Sequence, residues 1–142
     1  MKKYNYKKLK KEFDNKYKEE FDKIGIFWAF GNYQFEENKT HKDAPDSQYR
    51  SIGYGGYIHE SNLPKYRNFY NDFLPKLKRE FSKKINIDDL IDEELINHEC
   101  WYTGDYMEIV PIIQDFFTKL STTEIIEKIK NVYNAHPERF EW

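Results

Sequence analysis

The sequence contains little cysteine, little arginine and no long apolar run. One cysteine, Cys100, in 142 residues excludes an internal disulfide and is typical of proteins of the reducing cytosol. No apolar stretch approaches the ~20 residues that a membrane-spanning helix needs, so we expect no membrane association. The first residues, MKKYNYKKLKKEF, have lysines but no apolar segment behind them, which argues against a secretory signal. We therefore expect a cytoplasmic protein.

Charge and length exclude further classes. A net charge of -2 provides no general attraction to DNA or RNA, and we expect neither as a partner. The phosphate-loop motif G-x-x-x-x-G-K-[ST] is missing, which excludes a P-loop nucleotide hydrolase. A chain that is 39% hydrophobic and 34% charged is typical of a globular protein. Its length predicts one domain, residues 1–142, able to bury about two thirds of its unfolded surface.

Aromatic residues are abundant, at 18% of the chain, and their spacing predicts the first elements. Apolar side chains recur every four residues from Leu9 to Phe21, which predicts a helix that ends near Gly25. The segment IGIFWAF is then typical of a strand. Its alternation puts Trp28 and Phe30 on one apolar face and Phe27 on the other. We expect helices to cover one face and a second subunit to cover the other.

The middle of the chain predicts a short helix and a second strand. Asn32 is suited to cap the helix, and the polar segment 38–48 is expected to be a hairpin tip. The strand YRSIGYGGYIHE contains three glycines, which indicate a bulge or a close approach to the backbone. The fold class that follows is α+β, with a small antiparallel sheet near the N-terminus packed with several helices.

Helical patterns occupy the rest of the chain. One helix begins near Ser61 and is expected to kink or restart at Pro75. A second is predicted through DDLIDEELINHECWY, with His98 on its core face and Gly104 at its end. Asp105 to Glu108 is predicted to cap the next helix, and the segment STTE predicts a capping box for the last one.

No pattern of catalytic or metal-binding residues is recognisable. His98, Glu99, Cys100 and Asp105 are close in sequence, but their spacing matches no zinc motif. Cys100 beside Trp101 is typical of a buried apolar side chain rather than a reactive thiolate. We therefore expect no enzyme, no metal and no cofactor.

Aromatic and carboxamide side chains suggest a binding site instead. Aromatic faces stack on bases, and Asn or Gln side chains match the donor and acceptor edge of adenine. Asn97 and Trp101 are four residues apart, so one helix would place them on the same face. The candidate ligand-binding residues on this basis are Trp28, Phe30, Gln34, Asn97, Trp101 and Tyr102.

Three segments, FWAFGNYQFEE, SIGYGGYIHES and NHECWYTGD, carry a resemblance to a known family. Their order, over roughly residues 24 to 105, resembles that of the phage Thoeris anti-defence proteins of the first type. The resemblance implies a sponge that binds cyclic ADP-ribose isomers made by bacterial TIR-domain enzymes, and in some members cyclic oligonucleotides, without cleaving them. It also implies dimers or larger homo-oligomers in the cytoplasm of an infected bacterium. Arg50, Arg67 and Arg139 are then candidates for the ligand's phosphates, because the guanidinium fork suits phosphate.

Two other classes of function stay open from the sequence. One is a hydrolase of cyclic nucleotides that uses His98 with Glu99 or Asp105. The other is a protein-interaction inhibitor whose basic first helix docks on an acidic host surface, and such binding would weaken with ionic strength.

Overall fold

The computed structural model describes residues 2–139 and confirms the α+β class, with a three-stranded antiparallel sheet around residues 27–59. Its longer elements are α1 (Lys2–Asp22), β1 (Phe27–Trp28), α2 (Asn32–Asn38), β2 (Tyr49–Gly53), β3 (Gly56–His59), α3 (Leu63–Asn68), α4 (Leu74–Ser82), α5 (Ile87–Asn97), α6 (Cys100–Thr103), α7 (Val110–Phe116) and α8 (Thr122–Asn134). No helix within residues 2–139 is both long enough and apolar enough to cross a bilayer.

The backbone forms two compact units, which are described separately. The sheet unit is Asp14–Leu74 and contains all three strands. The helical unit joins the first turns of α1, up to Phe13, with the chain from Pro75 onward. The sequence analysis predicted a single domain, residues 1–142. The division into units does not test it, and it stays a prediction.

The sheet has the strand order β1-β3-β2, so β3 is central. Tyr54 and Gly55 form the two-residue turn between β2 and β3, and both have positive φ, 53° and 80°. Two successive positive φ values are characteristic of the tight hairpin turn that matches strand twist. The register shifts between Ser51 and Gly53, as the glycines predicted. Segment 38–48 is instead the connection from α2 to β2, so its prediction as a hairpin tip was wrong.

Alternation along β1 divides its aromatic residues between two environments. Phe27 and Ala29 are buried in the sheet unit, whereas Trp28 and Phe30 are 47% and 79% exposed. The Phe27 ring packs edge-on against Tyr49 at a centroid distance of 5.5 Å. The predicted alternation is therefore confirmed, and the Trp28 face is left open in the single chain.

An aromatic triangle organises one side of the helical unit. Phe13 of α1, Phe81 of α4 and Phe116 of α7 have ring centroids 5.0 to 5.8 Å apart. Elsewhere in this unit α8 packs on both α5 and α7. Ile125 and Ile129 of α8, four residues apart on one helix face, are fully buried.

The predicted kink at Pro75 takes the form of a π-helical turn, Phe69–Phe73, between α3 and α4. Proline lacks the N–H that would continue the α-helical ladder, and π-helical turns are a known way to accommodate such a break. The helix continues in the α form from Leu74.

The helix predicted through residues 88–102 is interrupted, which corrects the sequence analysis. α5 ends at Asn97, and Glu99 has a left-handed backbone with φ 53° before α6 begins at Cys100. The break rotates the chain, so Asn97 and Trp101 do not share a helix face. His98 is 37% exposed and lies between the Glu94 and Glu108 carboxylates rather than in the core, contrary to the prediction.

The predicted caps differ in outcome. Ser121 and Glu124 form the predicted capping box of α8, with hydrogen bonds of 3.1 and 3.2 Å. Asn32 lies inside α2 and Gly31 is its N-cap, so the cap assigned to Asn32 was wrong. Asp105 is not a cap either, because a 3-10 turn, Met107–Ile109, follows Tyr106 there.

Candidate functional site

The sheet unit carries an exposed aromatic surface, which we call the sheet surface. It consists of Trp28 and Phe30 lying over the backbone of Gly56 and Gly55. A Cβ added to Gly56 would lie 2.7 Å from Trp28 Cζ3, and one added to Gly55 would lie 2.5 Å from Phe30 Cε1. Such distances are too short for any side chain, so glycine is required at both positions for the rings to approach the hairpin this closely.

Hydrogen bonds from α2 position the backbone beneath this surface. The Gln34 side-chain oxygen accepts a hydrogen bond of 2.8 Å from the Phe30 N–H. Asn38 donates through Nδ2 to the Trp28 carbonyl at 2.9 Å. Gln34 therefore uses its acceptor on its own chain, and its NH₂ group is the part able to contact a ligand.

The two arginines of the sheet unit are placed differently. Arg50 is held by the Ser47 carbonyl at 2.8 Å and by the Glu60 carboxylate at 3.1 Å. Arg67 is exposed, and within the described part of the chain the structure gives its side chain no ion-pair partner. Arg50 is thus engaged in a surface contact, whereas Arg67 is open to an anion.

The helical unit contains a cleft of about 510 Å³, which we call the tryptophan cleft. That volume is within the range of pockets that hold small ligands, roughly 300–1,000 Å³. It is lined by Leu95, Ile96, Glu99, Trp101, Tyr102 and Arg139. The break between α5 and α6 creates it, because α5 provides one wall and α6 provides the aromatic wall.

Trp101 is the buried wall of this cleft. Its Nε1–H donates to the Tyr133 carbonyl at 3.3 Å, and its ring lies nearly parallel to the Tyr133 ring. The Arg139 guanidinium carbon lies 4.9 Å from the Trp101 ring centroid. Trp101 is therefore already packed, and Tyr102, which is 73% exposed, offers the accessible ring.

Arg139 is the positively charged residue of the cleft, and it forms an ion pair with Asp92. Nη1 forms a short hydrogen bond to Asp92 Oδ1, and both side chains are partly buried. Four of the five N–H donors of a guanidinium remain after one such bond. Arg139 can thus still donate to an oxygen-rich ligand, although Asp92 offsets its charge.

The candidate residues of the sequence analysis are divided between the units. Trp28, Phe30, Gln34, Arg50 and Arg67 belong to the sheet unit. Trp101, Tyr102 and Arg139 meet in the tryptophan cleft of the helical unit. Asn97 also belongs to the helical unit, but it is exposed at the end of α5 and does not line the cleft.

The titratable residues near the cleft have structural partners. His98 contacts Glu108 through Nδ1 at 3.0 Å and Glu94 through Nε2 at 3.4 Å. Burial raises the pKa of Glu94, and the neighbouring Glu93 charge raises it further. Burial also raises the pKa of the Cys100 thiol to about 11. Within residues 2–139, no three metal-ligating side chains are arranged to hold a metal ion.

Several residues of these surfaces were not among the candidates. Tyr33 and Tyr54, which also belong to the sheet unit, are 81% and 97% exposed. Asp92 and Ile96 contribute to the tryptophan cleft region through Arg139 and the α5 wall. The positive φ at Tyr54 had a local signal in the neighbouring glycines, but the break after α5 and the Asp92–Arg139 pair had none.

Comparison with known proteins yields a family but no characterised relative. No curated protein and no solved structure matches the chain. One family matches residues 9–137, described as a family of unknown function, DUF7659. Since this match covers most of the sequence, the chain belongs to the DUF7659 family.

Proposed function

We propose that the protein is a phage anti-defence sponge that binds a TIR-generated cyclic ADP-ribose isomer and holds it without cleaving it. It would act in the cytoplasm of the infected bacterium and so block Thoeris immunity. The observation that carries the proposal is the tryptophan cleft, which combines an accessible aromatic ring, a guanidinium and a carboxylate in a volume suited to a nucleotide. The resemblance of the three quoted segments supplies the identity of the ligand.

Each group of the cleft has a role in this proposal. The exposed Tyr102 ring stacks on the adenine, a contact worth roughly 1–3 kcal/mol per base. The free N–H groups of Arg139 donate to the pyrophosphate oxygens, for which a guanidinium fork is well suited. The Glu99 carboxylate accepts hydrogen bonds from ribose hydroxyls. Because Glu99 also repels phosphate, the sugar is expected on its side of the cleft and the pyrophosphate near Arg139.

Sequestration rather than hydrolysis is supported by the state of the nearby titratable groups. Cleaving a pyrophosphate or glycosidic bond needs a positioned base and stabilisation of developing charge. Both His98 ring nitrogens face carboxylates, and the raised pKa of Cys100 keeps its thiol protonated at neutral pH. His98 is therefore engaged by Glu94 and Glu108, and Cys100 is not available as a thiolate nucleophile at neutral pH.

A second copy of the chain is the proposed cover of the sheet surface. Trp28 and Phe30 expose a large apolar area, and rings of this kind are enriched at subunit interfaces. A homodimer or larger homo-oligomer would bury them. Light scattering at micromolar concentration is the test. A monomer for the wild type, or an unchanged dimer for Trp28→Ser/Phe30→Ser, would contradict this assignment.

The central test measures binding and chemical fate in one experiment. Excess cyclic ADP-ribose isomer is incubated with the protein for hours, the protein is denatured, and the nucleotide is quantified. We expect all of it to be recovered intact, with about one equivalent bound per subunit before denaturation. Turnover of more than one equivalent would favour the hydrolase, and no binding of any isomer would overturn the sponge.

A pair of variants locates the site. Tyr102→Ala removes the stacking ring and should weaken binding roughly tenfold to hundredfold. Asn97→Ala is the matched control, because Asn97 is a nearby exposed residue that does not line the cleft. Calorimetric affinities that fall for Asn97→Ala and stay constant for Tyr102→Ala would move the site away from the cleft.

A further inference from the structure

A second cavity in the helical unit is apolar, with a volume of about 450 Å³. The side chains that form its walls are Ile85, Ile87, Phe117 and Leu120, all half-buried, with the buried Phe116 beneath them. Ile85 lies between α4 and α5, Ile87 begins α5, and the other two follow the end of α7. This apolar cavity is distinct from the tryptophan cleft, with which it shares no lining residue.

Three cations line the same cavity. Arg79 lies in the last turn of α4, Lys83 directly follows that helix, and Lys119 comes from the turn after α7. Within the described part of the chain, none of the three has an ion-pair partner, and no lining residue is acidic. The cavity therefore concentrates positive charge in a chain whose net charge is -2.

The two segments that line the cavity are held by hydrogen bonds. Asn86 caps α5 by accepting from the Asp88 N–H at 2.9 Å. Gln114 donates to the Leu120 carbonyl at 2.7 Å, which fixes the turn after α7. A ligand entering between them would meet preformed walls, and preformed sites lose little free energy to ordering.

We infer that this cavity binds a small amphipathic anion, whose apolar body contacts Ile85, Phe117 and Leu120 and whose carboxylate or phosphate meets Arg79, Lys83 and Lys119. Apolar walls alone would accept a neutral ligand, and exposed cations alone would bind any anion weakly. Their combination in one cavity selects a molecule with both parts. The site is independent of the nucleotide proposed for the tryptophan cleft.

The positions of these cations could also be explained by helix stability alone. The test must therefore distinguish a role in stability from a role in ligand binding. Arg79 and Lys83 lie at the carboxyl end of α4, where positive charge is favoured by the helix dipole. That effect changes stability and needs no ligand. Ligand affinity, measured beside the melting temperature of the same variants, distinguishes the two explanations.

The first experiment uses three probes, octanoate, octyl phosphate and octan-1-ol. They share the same apolar chain and differ in their head group. Binding is followed by methyl NMR of Ile85, Ile87 and Leu120, with the buried Ile129 of α8 as an internal control. We expect saturable shifts in the first three methyl groups for both anions. Equal affinity for octan-1-ol, or shifts that avoid these methyl groups, would overturn the inference.

The second experiment varies the protein and the chain length. Lys83→Gln should weaken octanoate binding about threefold, the size of one exposed charge contact. The adjacent Lys84→Gln, which removes a charge that does not line the cavity, should leave it unchanged. Hexanoate should bind roughly tenfold more weakly than octanoate, since it has two fewer methylene groups. Equal effects of the two lysine variants, or no dependence on chain length, would contradict the site.

Discussion

Arg139 lies over the indole of Trp101, with its guanidinium carbon 4.9 Å from the ring centroid, and binds Asp92 at the same time. The consecutive helices α5 and α6 thus contact one cation, which comes from the segment after α8. A guanidinium can do this because its face contacts the ring while its edge donates to the carboxylate. The same arrangement forms one wall of the tryptophan cleft, so its energetics bear on both stability and binding.

The Arg139–Asp92 pair should contribute to stability through both partners. Arg139→Gln leaves the partly buried Asp92 carboxylate without its cation, and we expect a loss of about 1–3 kcal/mol in the free energy of unfolding. Asp92→Asn should be comparable. The double variant should lose less than the sum, with a coupling of about 0.5–3 kcal/mol in denaturant unfolding. Strictly additive losses would show that the pair is not an energetic unit.

Gly56→Ala should disturb the sheet surface. The new methyl group would lie 2.7 Å from Trp28 and 2.8 Å from Ile52, so both side chains must shift. We expect a loss of about 1–3 kcal/mol in unfolding free energy, as for other overpacked sites. In a Trp28→Ala background the loss should be smaller.

Gly53→Ala provides the control for the comparison of Gly56→Ala in the wild-type and Trp28→Ala backgrounds. Gly53 has φ 93° with nothing within 4 Å of an added Cβ, so its cost comes from backbone strain alone. That cost should be the same with and without Trp28. If the Trp28 background changes both glycine variants equally, the ring does not lie against Gly56 in solution.

Ser121→Ala should weaken the start of α8. The variant removes the side-chain acceptor of the capping box with Glu124, and we expect a loss of about 1 kcal/mol in thermal or denaturant unfolding. Thr123→Ala, an exposed position in the same helical turn, is the matched control and should change little. Equal losses at both positions would point to helix propensity rather than capping.

The Cys100 thiol should react more slowly with alkylating reagents than an exposed thiol and should ionise at higher pH. Burial raises its pKa from the ordinary 9.0 to about 11, so iodoacetamide labelling of the folded protein should keep increasing with pH beyond 10. A thiol whose pKa is raised on folding stabilises the folded state below the unfolded pKa, and that stability is lost as pH increases from about 9 toward 11.

Denatured protein is the reference for that measurement. Its labelling rate should be half-maximal near pH 9, the ordinary pKa of a thiol, and level off above that pH. A folded-state rate that levels off at the same pH would contradict the burial of Cys100, and Cys100→Ala should remove the labelling altogether.

Much of the local structure followed from local sequence. The four-residue recurrence from Leu9 to Phe21 predicted α1, because an amphipathic helix is specified by neighbours one turn apart. The segment YRSIGYGGYIHE was predicted as one strand with a bulge, but it folds as two strands, β2 and β3, joined by a tight turn. The capping box at Ser121, like α1, was predicted from a local pattern. Each depends on contacts between residues only a few positions apart, which sequence spacing describes directly.

The candidate sites depended on contacts that spacing does not describe. The periodic pattern continued through His98, but the folded chain breaks there, and Glu99 takes a left-handed conformation that places Trp101 and Asn97 on different surfaces. Asp92 and Arg139 pair across 47 positions. Burial of α5 against α8 and the pairing of partly buried charges outweigh the small helix propensities at the break. The sequence by itself therefore determined the α+β class, the amphipathic helices α1 and α8 and the capping box of α8. The tertiary structure decided which aromatic and charged side chains share a cleft, because those contacts join residues far apart in the chain.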